Sequence, residues 1–293
     1  MKKQHIAMLQ MLVCGLMWST GGMLIKLLPW NALVIAGFRS VLTAGVIALY
    51  MRIRNMRMLW NRKTVSIGVV MTAVIMTFLP ATKLTTAANA IVLQYTGPIY
   101  VLLFSAVFYK QRLRRGDVLT VVLTMAGIAL CFFDRLGAGT LSGNLLGLAS
   151  GVFFGGMFLL SGNVDEQTRL SGLLMAQFMM ILIGVPLAFV YDTPVSAANI
   201  AYIVLLGIVQ LGIPYILYSL SAKYCSALTC SLLSVLEPLF NPVWVFLVLG
   251  EQPGAYALIG GAVVLATITL WCMYDERLRQ KQHTLADAQT QSA

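Results

Sequence analysis

Charge is scarce in this chain. Only 10% of its 293 residues are Asp, Glu, Lys or Arg, against about 25% in a soluble domain, so too little polar sequence exists to cover a water-facing surface. Histidine is nearly absent: His5 and His283 lie close to the two ends, which leaves the middle of the chain without a histidine base or metal ligand. The aspartates (Asp117, Asp134, Asp165, Asp192, Asp275 and Asp287) all fall in or beside connections between apolar runs. No HExxH, GxSxG or P-loop pattern occurs, and Glu237, the carboxylate deepest in an apolar run, has no acidic neighbour to share acid–base work. These absences speak against an enzyme. The five cysteines (Cys14, Cys131, Cys225, Cys230 and Cys272) show no CxxC or Cys/His spacing and read as small core residues. No metal and no cofactor is expected. Long polar connections are missing too, so no soluble or nucleotide-binding domain is carried and a primary pump is disfavoured.

Apolar sequence is abundant, at 59% of the chain. It falls into ten stretches: Ile6–Leu27, Asn31–Met51, Thr64–Thr82, Thr86–Phe108, Gly116–Phe133, Ser142–Gly162, Leu170–Val190, Ala197–Leu220, Ser226–Leu249 and Ala255–Met273. About 20 apolar residues cross a bilayer as a helix. The expected fold class is therefore all-α integral membrane, with ten transmembrane helices. With ten spans and an interior N-terminus, 16 of the 20 basic residues lie on the cytoplasmic side. This is the positive-inside bias. It accounts for the net charge of +10 without a nucleic-acid partner, with contact to anionic lipid as a by-product. The expected location is a bacterial-type inner (plasma) membrane, multi-pass, with both termini cytoplasmic. The first apolar run is too long for a signal peptide and lacks a clear cleavage site, so it reads as a retained helix.

The chain also repeats itself. Ala87–Arg112 aligns with Ala227–Gln252 at an offset of 140, which sets Pro98 on Pro238 and Gln94 on Ser234. Lys83 matches Lys223 at the same offset, and Gly68 matches Gly207 at 139. Cys14–Trp18 resembles Ser150–Phe154 at 136. The predicted units are residues 1–138 and 139–274, followed by a polar cytoplasmic tail, 275–293, expected to lack fixed structure. Five spans per unit is an odd number, so the second unit enters the membrane from the opposite side. Two inverted five-helix repeats are the architecture of alternating-access carriers, with a site near the midplane.

The residues Gly15-x-x-Trp18, Arg39 in the second span, the Pro98 span ending in a basic loop, and Glu237-Pro238 followed by Gly250-Glu251 make the chain resemble the EamA-type branch of the drug/metabolite transporter superfamily. The likeness runs from about Met8 to Met273. In the first repeat Lys110-Gln111 stands where the second has glycine-glutamate. The resemblance implies a central cavity formed by helices 1–4 and 6–9, with helices 5 and 10 peripheral. It also implies export or exchange of small metabolites, often amino acids.

Charge inside a bilayer costs at least about 2.5–3.5 kcal/mol per residue and calls for a reason. Arg39 and Glu237 are the two charges deep within spans, and they offer either a cation–anion pair of anchors for a zwitterion or a salt bridge with each other. Glu237 is also the candidate for proton coupling, since a carboxyl group can be carried charged or neutral. Cys230, Ser234, Glu237, Asn241 and Trp244 follow one another at helical spacing, which puts them on one helical face. The predicted substrate-binding set is Glu237, Arg39, Trp18, Gln94, Gln210, Tyr218, Ser234 and Asn241, with Phe78, Phe154 and Tyr100 as further aromatic candidates. Asn89, Tyr95, Thr96, Tyr215 and Gln177 supply additional polar groups. Pro98, Pro214, Pro238 and Pro242 each remove a helix hydrogen bond and are hinge candidates. Gly147, Gly151 and Gly155, four apart, predict a close helix contact.

The function expected is a secondary transporter that exports or exchanges a small metabolite such as an amino acid by alternating access, acting as a monomer or homodimer with protons as a candidate coupling ion. An exporter of toxic amphiphilic compounds is the alternative, and a channel or membrane enzyme a more distant one.

Overall fold

The computed structural model of the protein describes residues 2–85, 87–131, 133, 140–249 and 255–291, and these contain helices and no strand. In chain order the helices are α1 (Lys2–Trp18), α2 (Gly21–Lys26), α3 (Ala32–Ile53), α4 (Arg62–Leu84), α5 (Ala87–Gln94), α6 (Gly97–Tyr109), α7 (Arg115–Cys131), α8 (Leu141–Gly162), α9 (Glu166–Gly184), α10 (Ala197–Val204), α11 (Ile213–Ser221), α12 (Ala227–Leu233), α13 (Leu236–Leu249) and α14 (Ala255–Gln291). Eight helical stretches among the described residues are long and apolar enough to cross a membrane. They coincide with eight of the ten predicted spans. The two others take shorter forms. The stretch Gly116–Phe133 corresponds to α7, of 17 residues, and Ser226–Leu249 divides into α12 and α13.

Helix starts follow the sequence closely. Asn31, Asn61, Thr140, Asp165, Ser196 and Ser226 each stand just before a helix and accept a hydrogen bond from a backbone N–H two or three residues on, at 2.9–3.2 Å. Each such cap is worth about 1 kcal/mol.

Several helical spans are interrupted among the described residues, and in three of them Pro98, Pro214 and Pro238 explain where. The α5–α6 pair breaks at Tyr95-Thr96, so Pro98 falls in the first turn of α6, where its missing N–H costs nothing. The α12–α13 pair breaks at Ser234-Val235, so Pro238 occupies the first turn of α13. The two breaks lie 139–140 residues apart, as the internal alignment requires. In the third case Leu205–Gly212 forms a π-helix ahead of Pro214. Pro214 cannot donate back to Gln210, and the wider turn accommodates the lost bond. A π-turn also takes in extra sequence, which fits the change of offset from 139 at Gly207 to 140 at Lys223. Pro98 and Pro238 thus follow breaks rather than kinking continuous helices. The side chain of Pro242 lies outside the described residues.

The packing follows an exchange pattern. The α4 helix lies against α8, and α1 lies against α11; α3 packs on α9, and α7 on α14. Counted by predicted spans, the first meets the eighth just as the sixth meets the third. The Gly147/Gly151/Gly155 stripe of α8 does make a close contact, with α5 and α6: a Cβ at Gly155 would stand 2.6 Å from the Gly97 carbonyl oxygen, and one at Gly147 3.2 Å from Leu93 Cβ. The tail differs from expectation. Instead of ending near Met273, α14 continues to Gln291, through a run of Glu, Arg, Gln, Lys, Leu and Ala that are strong helix formers.

Candidate functional site

The break between α12 and α13 places Glu237 beside a central cavity, and the break between α5 and α6 places Tyr95 opposite it. The Tyr95 hydroxyl donates to Glu237 Oε2 at 2.5 Å, so one bond joins the two interrupted helices. The cavity has a volume of about 180 Å³ and is lined by Trp18, Arg39, Gln94, Tyr95, Phe154, Gln210, Tyr215, Glu237 and Pro238, with Met71, Val74, Ile75, Phe78 and Leu79 of α4 on one side. Its lining includes Ile25, Phe78 and Ile91, which are partly exposed. The other end carries the basic segment with Arg52, Arg54, Arg57, Arg62 and Lys63.

Arg39, on α3, faces this cavity, and its Nε is buried without a hydrogen-bond partner. Glu237 is within electrostatic reach of it, but among the described residues the two form no ion pair, so the salt bridge that the sequence left open is not made in this conformation. The indole Nε1 of Trp18 and Oε1 of Gln210 are likewise buried and unpartnered. Gln210 Nε2 donates to the Trp18 carbonyl at 3.3 Å, and Gln94 Nε2 to Ser150 Oγ at 3.0 Å. Polar groups this poorly satisfied are exceptional in a finished core and mark a place where a solute or water completes the bonding.

An aromatic layer closes the bottom of the cavity. Tyr215 meets Trp18 (ring centroids 6.2 Å apart), Trp18 meets Tyr218 (6.4 Å), Tyr218 meets Phe158 (5.5 Å), Phe158 meets Phe154 (4.9 Å) and Phe154 meets Tyr95 (5.7 Å). Edge-on contacts of this kind add attraction beyond simple burial.

Two predicted site residues lie elsewhere. Tyr218 is fully buried within the aromatic layer and does not line the cavity. Ser234 Oγ donates to the Ser231 carbonyl at 2.7 Å and is also fully buried. The cause is the break at Ser234-Val235: the predicted polar face assumed one continuous helix, and Ser234 precedes the interruption while Glu237 follows it. Trp244, also on that face, donates to Ser19 Oγ at 2.6 Å. The side chain of Asn241 lies outside the described residues. Tyr100 packs beside Phe104 rather than in the cavity wall, and Gln177 is buried beside Tyr215.

Sequence reasoning undervalued Tyr95 and Tyr215, and of the apolar α4 wall it singled out Phe78 alone. It also counted Arg169 as one more cytoplasmic charge. Arg169 is 1% exposed and donates to three carbonyls: Nε to Ser161 at 2.6 Å, Nη1 to Ser219 at 2.7 Å and Nη2 to Val164 at 2.7 Å. It thereby satisfies carbonyls at the C-terminal ends of α8 and α11, where a cation also suits the helix dipole.

A larger cavity, about 540 Å³, lies toward the basic end between α6, α7, α8 and α14. Its charges are partly matched within the protein, Arg114 with Asp275 at 3.2 Å and Asp117 with Trp271 Nε1 at 2.9 Å, and it does not touch Arg39 or Glu237. The central cavity is therefore the candidate site.

A helical membrane bundle in which α3 presents a cation, and interrupted helices a carboxylate and open hydrogen-bonding groups, to a small central cavity has the form of a transporter. The chain belongs to the EamA-like transporter family, whose model matches residues 5–133 and 141–273. Among curated proteins it is similar to an uncharacterized transporter of Archaeoglobus fulgidus, 25% identical over 66% of this chain and 70% of that one. It is also similar to the uncharacterized transporter YxxF of Bacillus subtilis, 23% identical over 64% of this chain and 61% of that one. A solved crystal structure shares the fold, with a TM-score of 0.77 and 19% identity over 93% of this chain and 98% of that one.

Proposed function

We propose that this transporter moves a small zwitterionic metabolite, of the amino-acid class, by alternating access between two inverted five-helix repeats. Ten spans, with both termini cytoplasmic in a bacterial-type inner membrane, complete the reading. The observation that carries it is the cavity itself. Arg39, with an unpartnered Nε, and Glu237, held by Tyr95, face one small space without pairing with each other. A solute with both charges is the natural complement to such anchors. The matched helix breaks and the exchange pattern of packing support the repeat, because a two-fold relation between halves gives two conformations of comparable energy. Export is the favoured direction through the family, and Glu237 is the proton-coupling residue.

A second reading, export of amphiphilic toxic compounds, draws on the apolar α4 wall of Met71, Val74, Ile75, Phe78 and Leu79, which suits a solute with an oily body.

The experiment is counterflow of a labelled amino-acid panel into liposomes carrying the purified protein, with and without a pH gradient. Saturable exchange of an amino acid supports the zwitterion reading. Failure across the panel by folded protein, with exchange of an amphiphile, replaces it with the second. Unaltered pH dependence in Glu237→Gln removes that residue from proton coupling.

A further inference from the structure

At the aromatic layer and beneath it, toward the basic end, lies a group of buried hydroxyls, of which that of Ser231 donates to the Leu228 carbonyl at 3.0 Å and the other three have no hydrogen-bond partner. Ser161, Tyr218, Ser219 and Ser231 are all fully buried. Ser219 Oγ has no hydrogen-bond partner, and the Tyr218 hydroxyl and Ser161 Oγ lie near one another without forming a bond. A purely structural core at this position would be apolar, because buried polar groups without partners are costly. Polar side chains within membrane spans commonly mark solute paths.

The internal repeat says what these positions are. Ile25, Phe78, Leu79 and Ile91 line the cavity on the side remote from the basic segment, and all but Leu79 are partly exposed, which makes this side the mouth. Shifting Phe78, Leu79 and Ile91 by 140 residues gives Tyr218, Ser219 and Ser231, and shifting Ile25 by 136 gives Ser161. The buried hydroxyls are the repeat mates of the open mouth. Arg169 stands over them, bonded to the carbonyls of Ser161 and Ser219 themselves.

We propose that Ser161, Tyr218, Ser219 and Ser231 line a second access path to the central cavity, leading to the basic end, and that Arg169 is the latch that holds it shut in this conformation. The proposal rests on the alternating-access reading above and extends it. The path opens when the mouth at Phe78 and Ile91 closes, and opening requires Arg169 to release at least one of the two helix ends it joins. Hydroxyl walls accept and donate hydrogen bonds, so the path suits a polar or zwitterionic solute better than an oily one. The two mouths also differ in chemistry. The open one is apolar, while the closed one can rehydrate, and its hydroxyls regain partners when water enters.

The test uses the full-length protein in membranes, with the native cysteines replaced and one reporter introduced at a time: Phe78→Cys at the open mouth, Ser219→Cys in the closed path. With Arg169 intact, a maleimide reacts readily at the first reporter and slowly at the second. Arg169→Gln removes the charge-assisted bonds, and a shift in population is expected to raise labelling at position 219 about tenfold while lowering it at position 78. Arg169→Lys, which keeps the charge but lacks the three-way fork, is expected between the two and serves if the glutamine variant does not fold. Reciprocal change supports the latch. A rise at both positions means a loosened bundle and overturns it, as does no change at either. Reciprocal labelling combined with failure of the amino-acid counterflow would leave the path standing and remove the substrate assignment. Counterflow without reciprocal labelling would remove only the path.

Discussion

Gly155 and Gly156 are neighbours on α8, and the structure sets opposite consequences for the same added methyl group. At Gly155 the new Cβ would lie 2.6 Å from the Gly97 carbonyl oxygen and 2.8 Å from Tyr100 Cβ, whereas at Gly156 its nearest contacts are Val70 Cγ1 at 3.8 Å and Phe104 Cε2 at 3.9 Å. The first is a collision with backbone in α6; the second is ordinary packing. Replacing a helical glycine by alanine gains about 0.5–1 kcal/mol from reduced chain freedom. Overpacking costs about 1–3 kcal/mol. Gly156→Ala is therefore expected to be neutral or to stabilise by up to about 1 kcal/mol, while Gly155→Ala loses a net 1–2 kcal/mol or so. Because the obstructed carbonyl begins α6, two residues after Tyr95, the collision also pushes on the break that positions the Tyr95–Glu237 bond, and solute exchange should fall in Gly155→Ala alone. The assay is the thermal unfolding midpoint of the two purified variants in detergent, with exchange measured in parallel. Equal midpoints for the two variants would refute the claim that α8 and α6 meet backbone to backbone here.

Three further outcomes follow from named bonds. Tyr95→Phe removes the donor to Glu237, a bond of the charged class worth about 1.5–3 kcal/mol, and should lower the unfolding midpoint; Tyr218→Phe, whose hydroxyl has no hydrogen bond, should leave it unchanged or raise it. Thr43→Val deletes the 2.8 Å bond from Thr43 Oγ1 to the Gly207 carbonyl in the π-helix and should cost about 1 kcal/mol in the same measurement. Asp165→Ala removes the α9 cap, at about 1 kcal/mol. Burial pushes the Asp165 carboxyl up, but its bonds with Thr168 and the nearby Arg169 charge outweigh this and hold it below the ordinary carboxylate value. The group thus stabilises the fold at neutral pH and loses that contribution as pH falls through its lowered value, so the gap between native and Asp165→Ala midpoints should narrow in acid.

Most of the bundle was legible because its determinants are local. Apolar length set the spans, eight of which match helical stretches long enough to cross a membrane, and the polar residues Asn31, Asn61, Thr140, Asp165, Ser196 and Ser226 cap their helices locally. The cavity was legible only in part. Arg39 and Glu237 stood out because charge is rare in apolar sequence, and Trp18, Gln94 and Gln210 line the same cavity. Ser234 was assigned to the cavity face from 3.6-residue periodicity, which the break at Ser234-Val235 ends, and Tyr218, on α11, sits in the aromatic layer rather than on the cavity wall. Tyr95 was undervalued because its importance lies in a contact 142 residues away in sequence. Arg169 escaped notice because a basic residue beside a predicted loop looks like a surface charge. Its burial depends on three carbonyls from distant helix ends, which no local pattern records.

Arg39 and Glu237, the anchors proposed above, are not equivalent, and the difference predicts a direction for a zwitterionic solute. Glu237 already accepts a hydrogen bond at Oε2 from Tyr95, so its charge is partly met without a solute. Arg39 has a buried Nε with no partner, and a guanidinium offers planar, paired donors matched to a carboxylate. The unmet demand in the cavity is therefore for an anion at Arg39. The unpartnered Trp18 Nε1 adds a second donor to the same wall, while the Gln210 Oε1 acceptor and the second oxygen of Glu237 remain for an ammonium group. For the zwitterionic solute proposed above, the carboxylate is therefore expected to contribute more to recognition than the amine. Competition for exchange by two analogues of a transported amino acid, one lacking the amine and one with the carboxylate amidated, measures the difference. The carboxylate-bearing analogue should compete about tenfold better, the ratio expected for losing a charged bond worth about 1.4 kcal/mol or more, and Arg39→Ala should abolish the preference. A stronger competitor in the amide, or a preference that survives Arg39→Ala, would mean that Glu237 rather than Arg39 dominates recognition.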